Sequence, residues 1–312
     1  MVHRPASNMH PMTTKKKLLR AVALLLFGAA LGAGILMLLG VPLRLPVPAK
    51  PCRECPSPTA IPERESDDGH EKLGASKPGD WRHRFHEPAQ DFAEYRSTLV
   101  NWKCAHRTTF YIQPIGNAGT CYREVMERMR LYAEAFFGVP AQVLDPIPMF
   151  EDTADAKRGQ YDADQLINRL ARRCPEDALV YIGITEKDLF VPGLNFVFGV
   201  GDRRQRSGIY SLTRYETDQL PLFTRRSVNL LGHEAGHILS INHCVEYSCI
   251  MQGANSLEEH DSHPMHLCPV DLQKVLLNTG MDRKERYRKL LPLYQKWECK
   301  DEADWVTRRL DQ

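Results

Sequence analysis

The 312-residue sequence has almost no excess charge of either sign, with 41 Lys+Arg against 39 Asp+Glu and a formal net charge of +2. A chain so balanced offers no basic field to a nucleic-acid backbone, and no block of like charge forms a binding tail. With 20 glycines and 21 prolines it lacks the composition of a collagen-like chain, and 26% charged residues exclude a polytopic membrane protein. Nine cysteines are too few for a miniature scaffold built on disulfides, and a chain of this length buries a core without them. No internal repeat is visible. Long apolar runs are also scarce, with one exception near the N-terminus.

From Ala21 to Val41 no residue is charged (AVALLLFGAALGAGILMLLGV). About twenty apolar residues at 1.5 Å each cross a hydrocarbon core of about 30 Å. Arg4, Lys15, Lys16, Lys17 and Arg20 precede the run, whereas only Arg44, Lys50 and Arg53 follow it, which favours a cytoplasmic N-terminus. The run exceeds the roughly 7–15 residues of a cleaved signal core, and no small-x-small cleavage site follows. Residues 21–41 are therefore expected to be a transmembrane signal anchor behind a basic cytoplasmic segment, 1–20. The rest of this single-pass membrane protein would lie on the non-cytoplasmic side. Seven prolines between Pro42 and Pro62, with polar residues continuing to Asp80, predict an extended, disordered linker over 42–80. Cys52 and Cys55 form a lone CxxC within it, where a local disulfide, an interchain bridge or free thiols outweigh a zinc site. The aromatic residues of 81–106 predict a helical lead-in, and the folded domain is expected over 107–312.

In that domain Thr108–Gly116 reads as a strand and Thr120–Phe137, with Val125, Met129, Tyr132 and Phe136 on one face, as an amphipathic helix. Gln142–Met149 reads as a strand broken by Pro146 and Pro148, and Asp162–Arg173 as a helix. Ala178–Thr185 (ALVYIGIT) is an apolar run suited to a buried strand. Asn195–Val200 and Ile209–Arg214 read as paired strands, and Arg225–Ile241 as the next helix. Such an order predicts an α/β fold with a mixed sheet.

The last of these helices carries the chemistry. It reads NLLGHEAGHILSINHC, in which His233, Glu234 and His237 form an HExxH motif. Spacing i, i+4 puts both imidazoles on one helix face, where they can share a tetrahedral zinc. Glu234, 100° round from His233, reaches a water on that metal rather than the metal itself. Its carboxylate can take the water proton and later pass it to a leaving amine. A third ligand is needed. His243, six residues beyond His237, has the spacing of the metzincin pattern HExxHxxGxxH, while Glu258 or Glu259 would give a thermolysin-like set. His243 is preferred because Met251 lies where a metzincin has its Met-turn beneath the metal.

The stretch HCVEYSCIMQGANSLEEHDSHPMHLCPVD resembles the archaemetzincin signature, and YIQPIG, DLFVPGLNFVFG and IYSLTRY upstream resemble that family's strands in the same order. The resemblance runs roughly from Thr108 to Trp297. It implies a metzincin-like twisted mixed sheet with an active-site helix, and a zinc-dependent peptidase acting on a peptide or protein. It also implies that Asn195–Val200 pairs with the extended substrate.

Two positions depart from the family. Ser240 replaces the glycine between the second and third histidines, where a left-handed serine costs on the order of 1 kcal/mol. Asp271 replaces the last of the four cysteines that hold a second, structural zinc, leaving Cys244, Cys249 and Cys268. Asp271 or His266 would complete that site, or two of the three cysteines would form a disulfide. His260 and His263 are expected to be solvated in a polar loop. Cys104, Cys121, Cys174 and Cys299 have no ligand spacing and suit buried thiols or long-range disulfides. The reading is a membrane-anchored zinc metallopeptidase with one catalytic and a candidate second zinc. Its alternative is a non-enzymatic zinc-binding interaction domain on a membrane stalk, against which the carboxylate of Glu234 argues. A reporter fused after Gln312 is expected to escape cytoplasmic labelling while the protein stays in membranes through a high-salt wash. A released soluble form lacking the N-terminus would instead show a cleaved signal.

Overall fold

The strand-like stretches 109–115 and 178–185 lie side by side in the centre of a sheet, every residue of both buried. They belong to a computed structural model that describes residues 55–116 and 120–312, except the side chains of Thr120 and Cys121. The basic segment 1–20, the apolar run 21–41, the first part of the linker and Cys52 lie outside the described residues. Among those described, no helix is long and apolar enough to cross a membrane.

In chain order the elements are α1 (Trp81–Arg84), α2 (Phe92–Thr98), β1 (Thr109–Ile115), α3 (Thr120–Phe137), β2 (Ala141–Val143), β3 (Ala154–Asp155), β4 (Gln160–Asp162), α4 (Ala163–Ala171) and β5 (Ala178–Thr185). There follow β6 (Leu189–Phe190), β7 (Gly199–Asp202), β8 (Ser207–Ser211), α5 (Leu220–Ile238), α6 (Leu257–Ser262), α7 (Pro269–Thr279), α8 (Arg283–Lys296) and α9 (Lys300–Leu310). The main sheet runs β2-β1-β5-β8-β7, parallel except for β7, which pairs antiparallel with β8 at the edge. Parallel strands covered on both faces need apolar side chains on both, which accounts for their unbroken runs. Because side chains alternate, Phe110, Ile112, Val180 and Ile182 pack with α3 and α5, while Tyr111, Tyr181 and Ile209 pack with Leu166, Ile167 and Leu170 of α4. The expected α/β fold with a mixed sheet is thus the observed one.

Several boundaries move for identifiable reasons. The strand expected over 142–149 shrinks to β2, since Pro146 and Pro148 cannot donate to a ladder; beyond it Leu144 N donates to Ile112 O and Ile147 forms an isolated bridge with Ile115. The edge strand expected over 195–200 lies at 199–202 instead. Its GVGD sequence carries little strand propensity because α5 passes close by: a Cβ on Gly199 would lie 2.8 Å from Glu234 Oε1. Helix α5 begins at Leu220, ahead of the expected Arg225, with proline in its first turn, where no backbone N–H is needed.

The linker expected over 42–80 is corrected from residue 55 onward, as is a folded domain beginning only at 107. Cys55 is disulfide-bonded to Cys104. Trp102 Nε1 donates to Pro56 O at 3.0 Å and Gln273 Nε2 to Pro62 O at 2.8 Å. Leu73 N donates to Glu246 O and Ser248 N to Glu71 O. Glu65, buried, accepts from Tyr287 OH at 2.9 Å and meets His70 Nε2 at 3.1 Å. Arg309 donates to Asp68 O and Trp305 Nε1 to Gly69 O. Composition misleads here because the segment is held through a disulfide, main-chain hydrogen bonds and one buried carboxylate rather than through an apolar core.

Burial raises the Glu65 carboxyl, but the hydrogen bonds from His70 and Tyr287 outweigh it and hold the group below its usual range. A depressed carboxyl contributes stability that is present above its unfolded pKa and lost as pH falls through the folded value. Glu65→Ala, which strands the Tyr287 hydroxyl, should cost about 2 kcal/mol in a denaturant titration. In the wild-type protein, limited proteolysis within 55–80 should accelerate as pH drops below about 4.

Candidate metal centre

Helix α5 buries Val228, Leu231, Ala235 and Ile238 against the sheet, which turns His233 and His237 to another face one turn apart. His233 Nδ1 donates to Ile250 O at 2.9 Å and His237 Nδ1 to Ile241 O at 2.8 Å, leaving their Nε2 atoms 3.0 Å from each other. The chain then reverses: Ser240 adopts φ 74°, and His243 returns with its ring 5.3 Å from that of His233 and 4.8 Å from that of His237. One ligand atom from each of the three lies within 4.8 Å of the others. Glu87 accepts from His243 Nδ1 at 2.8 Å. With all three Nδ1 groups engaged, each ring has Nε2 to offer a metal, an arrangement usual for zinc-binding histidines. Burial first, and then the neighbouring rings, hold His233 well below its usual pKa and His237 at about 3, so both are in the neutral, ligating form.

Glu234 is 4% exposed, and its Oε2 has no hydrogen-bond partner. Burial pushes the carboxyl up to about 8, and a cation held by the histidines would pull it back down. Met251 lies fully buried beneath this turn of α5, where a Cβ on Gly236 would collide with its Sδ. Its carbonyl accepts from Cys244 N at 2.8 Å, tying the residue after His243 to the floor of the site. The alternative third ligands are elsewhere. Glu258 is exposed, and Glu259 accepts from Trp81 N and Asn255 N, each at 2.7 Å.

His260 and His263, expected to be solvated, are buried instead. Helix α6 lays His260 against Tyr215, ring centroids 4.8 Å apart, and Tyr215 stacks on Phe198 beside the edge strand. Neither nitrogen of His260 has a hydrogen-bond partner. Burial lowers the pKa of both histidines, that of His263 to about 3.

Behind the histidines, Cys244, Cys249, Cys268 and Asp271 converge, again with ligand atoms within 4.8 Å. Cys244 Sγ and Cys268 Sγ are 3.8 Å apart, close to the edge of a tetrahedron with zinc–sulfur bonds of about 2.3 Å. Asp271 Oδ2 lies 3.3 Å from Cys249 Sγ. Cys249 Sγ accepts from Cys268 N at 3.2 Å and Met251 N at 3.5 Å, and Cys268 Sγ from Asp271 N at 3.4 Å. These donors suit thiolates. Hydrogen bonds from Cys249 and Cys268 lower the Cys244 thiol, while burial raises the other two and lifts Asp271 to about 6. All three thiols are free rather than disulfide-linked. His266 points elsewhere, bonded to Glu302 at 3.1 Å and stacked on Trp305.

Sequence reasoning overlooked Glu87 and Gln90. Both sit in the connection between α1 and α2, where HEPAQD carries no motif and reads as an ordinary loop.

The sequence profile of peptidase family M54 matches residues 120–276. Archaemetzincin-2 of Rattus norvegicus is 31% identical over 255 residues, which cover 68% of this chain and 71% of that protein. Archaemetzincin of Aeropyrum pernix is 29% identical over 178 residues, 55% of this chain and 95% of that protein. The crystal structure of archaemetzincin from Methanopyrus kandleri superposes with a TM-score of 0.52 at 26% identity, covering 56% of this chain and 97% of that one.

Metal analysis should find two zincs per chain, falling to one in Asp271→Ala and, separately, to one in His243→Ala. Glu258→Ala and Glu259→Ala should retain both. Retention in His243→Ala with loss in either glutamate variant would refute the histidine set.

Proposed function

The chain belongs to peptidase family M54, the archaemetzincins, whose members are zinc-dependent peptidases, and from that premise we propose how its own residues divide the work. His233, His237 and His243 hold the catalytic zinc, and Glu234 is the general base and acid. Zinc in this position supplies a Lewis acid that brings the pKa of a water down to about 7. Glu234 accepts a proton from the attacking water as its oxygen bonds to the peptide carbonyl carbon, then delivers that proton to the amine nitrogen as the C–N bond breaks. The observation that carries this reading is the Glu234 carboxylate, buried beside three convergent imidazoles with Oε2 unpartnered. Burial raises its basicity, as a proton acceptor working near neutral pH requires. A domain that only bound metal would have no use for an unpaired buried carboxylate, whose desolvation is costly.

An extended peptide would add to the free side of β7, which among the described strands pairs with β8 alone. A Cβ on Gly199 would lie 2.8 Å from Glu234 Oε1, so this edge strand passes close to the carboxylate. Cys244, Cys249, Cys268 and Asp271 would hold a second zinc that fixes the segment after His243, with a carboxylate in place of the fourth thiolate. Residues 21–41 would anchor the protein by a single pass, the peptidase facing away from the cytoplasm. The uncharged run with its basic flank supports this topology, and so does the Cys55–Cys104 disulfide, since such bonds persist in oxidising compartments.

Glu234→Gln tests the mechanism. The variant should keep its zinc and its fold while chelator-sensitive cleavage of a diverse peptide mixture falls at least ~10²-fold. Unchanged turnover would remove Glu234 from the chemistry.

A further inference from the structure

His233 and His237 rest their Nδ1 groups on main-chain carbonyls, whereas the third histidine relies on a side chain from a distant part of the sequence. Both carboxylate oxygens of Glu87 lie close to His243 Nδ1, at 3.0 and 2.8 Å. Glu87 Oε2 also accepts from Trp81 Nε1 at 2.8 Å, and the Trp81 ring meets His243 edge-on at 5.2 Å. Trp81 is itself tied down through its backbone N–H to Glu259. The imidazole is thus held by an acceptor at Nδ1 and by an indole ring packed roughly at right angles to it. Three residues on, buried Gln90 donates to Ser240 O and accepts from Asn242 N, both at 3.1 Å. It therefore brackets the left-handed turn that brings His243 back to its partners. Glu87, Gln90 and Trp81 all lie outside the stretch 120–276 that the family profile matches.

We propose that Glu87 is a positioning residue of the metal centre: its carboxylate fixes the ring of His243 so that Nε2 faces the zinc, and the 81–90 segment thereby becomes part of the site. This rests on His243 being a zinc ligand. A carboxylate on the far nitrogen fixes the tautomer, orients the ring and strengthens the ligand, and removal of such partners typically weakens metal binding 10- to 100-fold. An amide at the same position would still accept the Nδ1 proton but would carry no charge.

The test uses the purified full chain. Zinc affinity is measured by competition with a chelating indicator, and the histidine site is read separately by Co²⁺ substitution. Cobalt on three imidazoles gives d–d bands without the sulfur charge-transfer absorption of the cysteine cluster. Glu87→Ala should weaken the histidine site 10- to 100-fold, and Glu87→Gln should weaken it less while shifting the d–d bands. The thermal midpoint of metal-free Glu87→Gln should match that of the metal-free wild type, which separates positioning from a structural role. Should Glu87→Ala fail to fold, Glu87→Gln decides: weaker binding with altered bands supports the proposal, and wild-type affinity with wild-type bands overturns it. Wild-type affinity in a folded Glu87→Ala overturns it as well. His243→Ala is the reference. If it retains zinc at the histidine site, the ligand set itself is wrong. If it loses zinc while both Glu87 variants bind normally, only the role of Glu87 falls.

Discussion

One straight helix cannot bring three histidines of this spacing to a point. His233 and His237 meet because four residues make slightly more than one turn, but His243, continued on the same helix, would lie about 15 Å along the axis from His233. The chain must therefore leave α5 between its second and third histidines, and it does so through Ser240 at φ 74°. For a residue with a Cβ that conformation is disfavoured by roughly 1–2 kcal/mol, so the surroundings must over-determine it. They do: Tyr95 OH donates to Leu239 O at 3.0 Å, Gln90 brackets the turn, and Val100 N reaches Ser240 Oγ at 3.4 Å. The return of His243 and the tether from Cys244 to Met251 both depend on the direction this turn imposes.

The same segment reaches the cysteine cluster. Lys274 Nζ, almost wholly buried, donates to Gln90 O at 2.6 Å and to Asp271 Oδ1 at 2.8 Å. Asp271 thus gives one oxygen to an ammonium and turns the other toward Cys249. Three thiolates and a carboxylate around a divalent ion would leave two net negative charges in a dry interior, and Lys274 cancels one of them. An aspartate is tolerable among those sulfurs because its charge is already shared. A buried carboxylate left unpaired would be far costlier.

The elements legible in the sequence were those whose signal is local. The HExxH histidines, the strands 109–115 and 178–185 and the helix 120–137 each announce themselves by spacing or apolar content. The residues that were misread take their meaning from partners far away in the chain. Glu87 and Gln90 act on residues about 150 positions later, and no window of sequence contains both ends of such a contact. His260 and His263 looked solvated because α6 is too short to display a period, and β7 was displaced because its glycines answer to Glu234 rather than to strand propensity. The proline-rich stretch looked like a tether because composition reports apolar burial and says nothing of carbonyls and a carboxylate that find partners.

Those partners also set an order of events. Glu65 is held by Tyr287, Asp68 by Arg309 and Gly69 by Trp305, so residues translated early wait for helices translated more than two hundred residues later. Contacts this distant in sequence form slowly and late. During synthesis Cys55 and Pro56 can meet Cys104 and Trp102 early, whereas Glu65, Asp68 and Gly69 find their own partners only after α8 and α9 have emerged. For residues 65–69 docking therefore runs against the direction of translation, since their anchors are the last helices of the chain to appear.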